Sequence, residues 1–153
     1  MEKFTKKDLN KTLRVKQDIQ QKSRKRYRVD ANNQTLWRLA VDIANKLSWK
    51  GKASYSDFWD GWDFVLVENV QKISVTGKKL DDKIYYSYSW YKWNLKKITL
   101  KNLLIKNPAK ALRFAVRWML AKNKLRDPRM KRLKLVVWTT TKYDNFKPLN
   151  LYK

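Results

Sequence analysis

No polar side chain interrupts Phe64-Val65-Leu66-Val67, the run that opens after Asp63. A strand with one wet face alternates apolar and polar residues. An unbroken run suits a strand covered on both faces, as inside a parallel sheet. Such a strand needs helices to cover it, and the chain offers two. Leu36, Leu39, Ala40, Ile43, Ala44 and Leu47 fall at i, i+3, i+4, i+7, i+8 and i+11, the stripe of an amphipathic helix, with Thr35 ahead of them as a capping residue. Asn107-Pro108 marks a second helix start, because proline in the first turn sacrifices no intrahelical bond. Leu112, Ala115, Val116, Met119 and Leu120 form its apolar stripe, and Lys110, Arg113 and Arg117 face elsewhere.

Further strands are expected at Tyr27–Asp30, Lys72–Thr76, Lys83–Ser87 and Leu133–Val137, with turns at Asn32-Asn33 and Gly77. Strands alternating with helices predict an α/β domain on a largely parallel sheet. The length of 153 residues suits one domain with tails. We divide it into a basic N-terminal extension (1–24), a folded domain (25–138) and a C-terminal extension (139–153).

Charge narrows the choice of partner. Lys and Arg number 37 against 13 Asp and Glu, a formal net charge of +24. Residues 1–28 hold 11 basic and 3 acidic residues, net +8, which leaves +16 on the rest. Lys96 to Lys134 is densest, with 14 basic residues and one acid, Asp127. A basic tail on a neutral body would suggest a tether. Here both are basic, which suits a protein surrounded by nucleic acid. Membrane binding would favour one basic amphipathic helix, and these cations are not confined to one. No apolar run approaches the roughly 20 residues of a membrane span, and the N-terminus shows no signal-peptide core, so the expected location is cytoplasmic.

Catalysis finds little support. The chain has no cysteine and no histidine, which removes disulfides, thiolate zinc sites, cysteine nucleophiles and imidazole bases. Asp57, Asp60 and Asp63 are the one close acidic set that a two-metal nuclease could use. Asp60 and Asp63 are better read as acceptors for backbone donors in the turn before the strand. Thr76-Gly77-Lys78-Lys79 is the obvious phosphate-loop candidate, and it lacks the Walker pattern and a following helix. No catalytic residue, metal ligand, cofactor or small-molecule substrate is expected.

Glycine is scarce. At about 7% of residues, a chain this long should hold roughly 11. It holds 3, beside 8 tryptophans, and 3 plus 8 is 11. Tyr85 to Trp93, YYSYSWYKW, concentrates the aromatics and reads alone as either a stacking platform for bases or packing at a strand edge.

Eight motifs, in order, resemble the bacterial large-subunit ribosomal protein L13 family over about residues 25–148. Tyr27-Arg28-Val29-Asp30-Ala31 is similar to a WYVIDA strand, and Thr35-Leu36-Trp37-Arg38-Leu39-Ala40 to TLGRLA. Trp49-Lys50-Gly51-Lys52 with Tyr55 resembles GKHK followed by PTY, and Asp60-Gly61-Trp62-Asp63-Phe64-Val65 resembles D-x-GDFV. Lys72 to Lys79 resembles KIxxTGKK, and Tyr85-Tyr86 opens a YYRHSGYPGG-like stretch. Asn107-Pro108 and Met119 to Asn123 resemble the NPxxAxxxAVxGMLPKN helix, and Lys131 to Lys134 the RLKVY strand.

Where the family has glycine, this chain has Trp37, Trp49, Trp62, Trp90, Trp93, Trp118 and Trp138. Glycine serves close approach or positive φ, and tryptophan does neither comfortably. Some bacteria read the codon UGA as glycine where another code reads tryptophan, and a chain rich in Lys, Asn, Ile and Tyr fits an AT-rich genome of that kind. Tyr88 also replaces a family histidine, Lys92 and Ala121 replace prolines, and Thr141-Lys142-Tyr143 stands for an HPH-type segment.

The resemblance implies a three-layer α/β/α domain around a parallel sheet of about four strands, with extended basic tails. It implies a structural role: binding large-subunit (23S) rRNA beside neighbouring large-subunit proteins, and supporting subunit assembly. Arg38, Lys50, Lys52, Lys78, Lys79, Lys122 and Lys124 lie in or beside its motifs and are expected to contact phosphate. Arg113, Arg117, Arg129, Lys131 and Arg132 join them on charge density alone. The rivals are a free regulatory RNA-binding protein and a metal-dependent nuclease.

Overall fold

A computed structural model of the chain describes residues 24–48, 63–139, 143, 145 and 147–148. Among them, β1 (Arg26–Asp30), β2 (Phe64–Glu68), β5 (Leu133–Leu135) and β6 (Lys147–Pro148) form a four-stranded sheet in the order β5-β2-β1-β6, every pair parallel. The expected α/β fold and strand number are both present. β2 holds an interior place, with Val65, Leu66 and Val67 fully buried, as its uninterrupted apolar run requires.

Two helices on the chain's route between these strands are α1 (Leu36–Ser48) and α4 (Pro108–Met119). The steps from β1 to β2 and from β2 to β5 cross the sheet in the same direction, and right-handed crossovers of this kind lie on one face. The core confirms it: Val29, Val65, Val67 and Leu133 pack with the α1 stripe and with Ala111, Leu112, Ala115 and Val116 of α4. All six apolar α1 positions are buried. On α4, Met119 is exposed and Ala111 takes its place inside, because Met119 is the last helical residue. The opposite face carries Arg28, Leu66 and Glu68, with Leu66 and Glu68 buried. The described residues show helices packed on one face of the sheet, and residues 1–23 of the expected extension 1–24 lie outside the described residues.

Strands β1 and β2 are also joined electrostatically. Arg28 donates from Nε and a terminal nitrogen to the two Glu68 carboxylate oxygens, both at 2.9 Å. Asp63, buried at the entry to β2, accepts the Lys25 backbone N–H at 2.8 Å, so this donor is a backbone group at the entry to β1 and not one in the turn before β2, where it was expected. Asp57 and Asp60 lie outside the described residues.

The expected strand Lys72–Thr76 is corrected. Val70–Lys72 is a 3-10 turn entered through Asn69 at φ 54, and only Ser74 makes a β-bridge, to Thr35. Ser74 accepts the Leu36 N–H and donates to the Gln34 carbonyl, both at 3.0 Å, and the ladder stops there because Leu36 begins α1. Gly77 turns the chain at φ 69, as expected. One helical turn, α2 (Lys79–Asp82), follows it, where no helix was expected.

β3 (Ile84–Tyr88) pairs antiparallel with β4 (Leu95–Thr99) in a separate hairpin, its register running from Ile84↔Thr99 to Tyr88↔Leu95. Tyr85 docks the hairpin on α4 by stacking on Phe114 at 5.5 Å, and its burial pushes the phenol pKa up. α3 (Leu100–Lys106) follows at once, with the Thr99 hydroxyl accepting the Asn102 N–H at 3.4 Å. Asn107 joins α3 to α4: its N–H donates to the Leu103 carbonyl and its Oδ1 accepts the Lys110 N–H at 3.0 Å. An Asn107→Ala variant is expected to lose about 1 kcal/mol, and Asn107→Asp to keep most of it, both read from urea unfolding. The last helix among the described residues, α5 (Arg126–Lys131), leads into β5.

Candidate nucleic-acid interface

The expected cations separate by location. Arg38 lies on the outer side of α1, and Lys78 and Lys79 follow Gly77 beside the start of that helix, all three exposed. The Lys79 ammonium sits over the Trp37 ring at 5.0 Å, which joins the Gly77 turn to the first turn of α1. These three residues come from two distant motifs, brought together because Ser74 pairs with Thr35.

Arg113 and Arg117 project from α4 one turn apart, opposite Leu112 and Val116. A shallow groove beside them is lined by Arg113, Lys131 and Lys134 with Asp127 and Tyr143. A second is lined by Arg117, Lys122 and Arg126 with Phe114 and Trp118. Lys124 is exposed close by in sequence. Arg117 meets Asp127 at 3.9 Å with both side chains largely in water, a pair too exposed to neutralise the surface. Lys50 and Lys52 lie outside the described residues.

Arg129 and Arg132, expected on charge density, do not lie with these exposed cations. They are 4% and 9% exposed, and the Arg132 guanidinium covers the Phe64 ring at 5.6 Å. α5 is short and packs against α1, α4 and β5, so the stems of Arg129 within it and of Arg132 just after it are drawn into the interior. Density of charge along a sequence does not report which side of a helix is buried. Sequence reading also passed over Lys134, which extends the first groove from β5.

Lysines pair with aromatic rings along the hairpin and α4: Lys83 over Tyr85 at 5.9 Å, Lys97 over Tyr86 at 5.8 Å and Lys110 over Phe114 at 5.7 Å. Such pairs hold each stem against a ring and leave the ammonium at the surface. Among the described residues no group of three Asp or Glu side chains could hold a metal ion, and no helix is long and apolar enough to cross a membrane.

These features define a class: a small α/β protein on a parallel sheet, strongly basic, with cations on the outer side of its helices. The family described as Ribosomal protein L13 matches residues 24–140. The chain belongs to the ribosomal protein L13 family. Three relatives bear the name large ribosomal subunit protein uL13. That of Desulfotalea psychrophila is 46% identical over 111 residues, 72% of this chain and 78% of the relative. That of a Geobacter species is 48% identical over 109 residues, 71% and 77% of the two chains. That of Pelobacter propionicus is 44% identical over 122 residues, 80% and 86%.

Proposed function

We propose that the chain is a structural, non-catalytic constituent of the large ribosomal subunit. It binds large-subunit (23S) rRNA beside neighbouring ribosomal proteins in the cytoplasm, and so supports assembly and translation. Its membership of the L13 family carries this reading, and the exposed cations of α1, the Gly77 turn and α4 supply a mechanism. Two RNA helices brought together repel through their phosphates, and a protein that places cations between them replaces released counterions. Recognition then depends on backbone shape more than on base sequence.

The phosphate contacts assigned to this surface are Arg38, Lys78, Lys79, Arg113, Arg117, Lys122, Lys124 and Lys131, with Lys50 and Lys52 added from sequence. On a sucrose gradient of the native cell lysate, the chain is expected to sediment with large subunits. Recovery at the top of the gradient with a messenger would favour the regulatory rival. Mg²⁺-dependent RNA cleavage that disappears in Asp60→Asn would favour the nuclease.

Lys78→Glu combined with Lys79→Glu tests the Gly77 turn. Each reversal removes a contact and adds repulsion, so affinity for large-subunit rRNA should fall by at least about tenfold and the salt slope should flatten by roughly two. Unchanged affinity and slope would remove both lysines from the interface.

A further inference from the structure

Five described residues have φ in the left-handed region: Asn33 at 56, Asn69 at 54, Gly77 at 69, Trp90 at 63 and Trp93 at 65. Glycine enters this region without steric cost, and asparagine is the commonest other visitor. A bulky aromatic there is an outlier, and here two share one loop. Ser89 to Asn94 is the six-residue connection between β3 and β4, which the last rung, Tyr88↔Leu95, closes. Both left-handed tryptophans therefore lie within the connection that the hairpin register closes.

Nothing compensates for that conformation. Trp90 and Trp93 are 92% and 91% exposed, the reverse of what the largest apolar side chain favours. Trp90 has an edge-on contact with Tyr88 at 5.8 Å, and Tyr88 is itself exposed. Trp118 and Trp138 are also mostly exposed, although tryptophans are highly buried on average. Composition points the same way: the chain has 3 glycines where roughly 11 are ordinary, and 8 tryptophans.

We propose that positions 90 and 93 are glycine in the protein its own cell makes, each encoded by UGA, and that the hairpin tip is consequently a bare backbone turn. The same reading covers the exposed positions 118 and 138. Backbone strain fixes the first two, and exposure with the glycine deficit extends the assignment to the others. For the surface, which rests on the rRNA reading above, a bare turn beside Lys92 and Lys96 admits a sugar-phosphate backbone at close range. An indole platform would instead stack bases.

Two measurements decide the proposal. The chain isolated from its own cells, digested and weighed, should give peptides over positions 90 and 93 each lighter by one Trp-to-Gly difference, with UGA at both codons. Peptides of the written mass, or UGG codons, would overturn it. Separately, rRNA affinity of the chain as written should be matched or exceeded by the Trp90→Gly/Trp93→Gly double variant. A loss of about tenfold or more would assign the indoles to base stacking and overturn the bare tip. If neither chain bound, the rRNA reading and the tip's role would fall together, while the peptide masses would still decide which residues occupy the loop.

Discussion

Raising salt from about 50 to about 200 mM is expected to weaken the chain's binding to large-subunit rRNA by roughly 10³- to 10⁵-fold, the range for six to ten phosphate contacts. The described residues alone place eight of the assigned cations at the surface: Arg38, Lys78, Lys79, Arg113, Arg117, Lys122, Lys124 and Lys131. Few acids stand near them, and the Arg117–Asp127 pair is mostly in water. Each phosphate contact releases condensed counterions, so the logarithm of affinity should fall linearly with the logarithm of salt. A binding isotherm at four or five salt concentrations gives the slope. A nearly flat line would mean that shape or apolar contact carries the binding, and the cationic surface would lose its assigned role.

The charge that sets this slope was fully legible in the sequence, but its placement was legible only in part. Arg113 and Arg117 were placed correctly, because the stripe Leu112-Ala115-Val116 fixes which side of α4 is inside. Arg129 and Arg132 were not. Arg129 lies in a six-residue helix and Arg132 directly follows it, and that helix has no apolar period long enough to show its buried side. The fold divides in the same way. DFVLV holds an unbroken apolar run and the Leu36-to-Leu47 stripe carries a strong helical period, and they formed the interior strand and the helix expected of them. Three of the five residues of Leu95–Thr99, namely Leu95, Lys96 and Lys97, are exposed, and the segment pairs only because β3 precedes it across a six-residue loop. Ile73 and Val75 alternate like a strand, yet a left-handed Asn69 and the start of α1 leave room for one bridge. Lys147–Pro148 is two residues long, and its proline, which lacks an N–H, is at home on a sheet edge. Tertiary partners decide such segments, and a local window does not contain them.

The link between core and interface is tested at two neighbouring residues. Leu112 is fully buried where α4 packs on α1, and Arg113, the next residue, is exposed. Leu112→Ala is expected to cost about 2–5 kcal/mol, the lost transfer free energy plus the cavity left behind. Against a typical total of about 5–15 kcal/mol this is a large fraction, and a urea midpoint would read it directly. Arg113→Ala should change stability by no more than about 0.5 kcal/mol, yet weaken rRNA binding and lower the salt slope by roughly one. The two variants should therefore separate cleanly, one in folding and one in binding. If Leu112→Ala unfolded at the same urea concentration as the parent, the α1–α4 seam would not be the core that holds this surface. If Arg113→Ala bound with unaltered salt dependence, the outer side of α4 would be solvated rather than seated on phosphate.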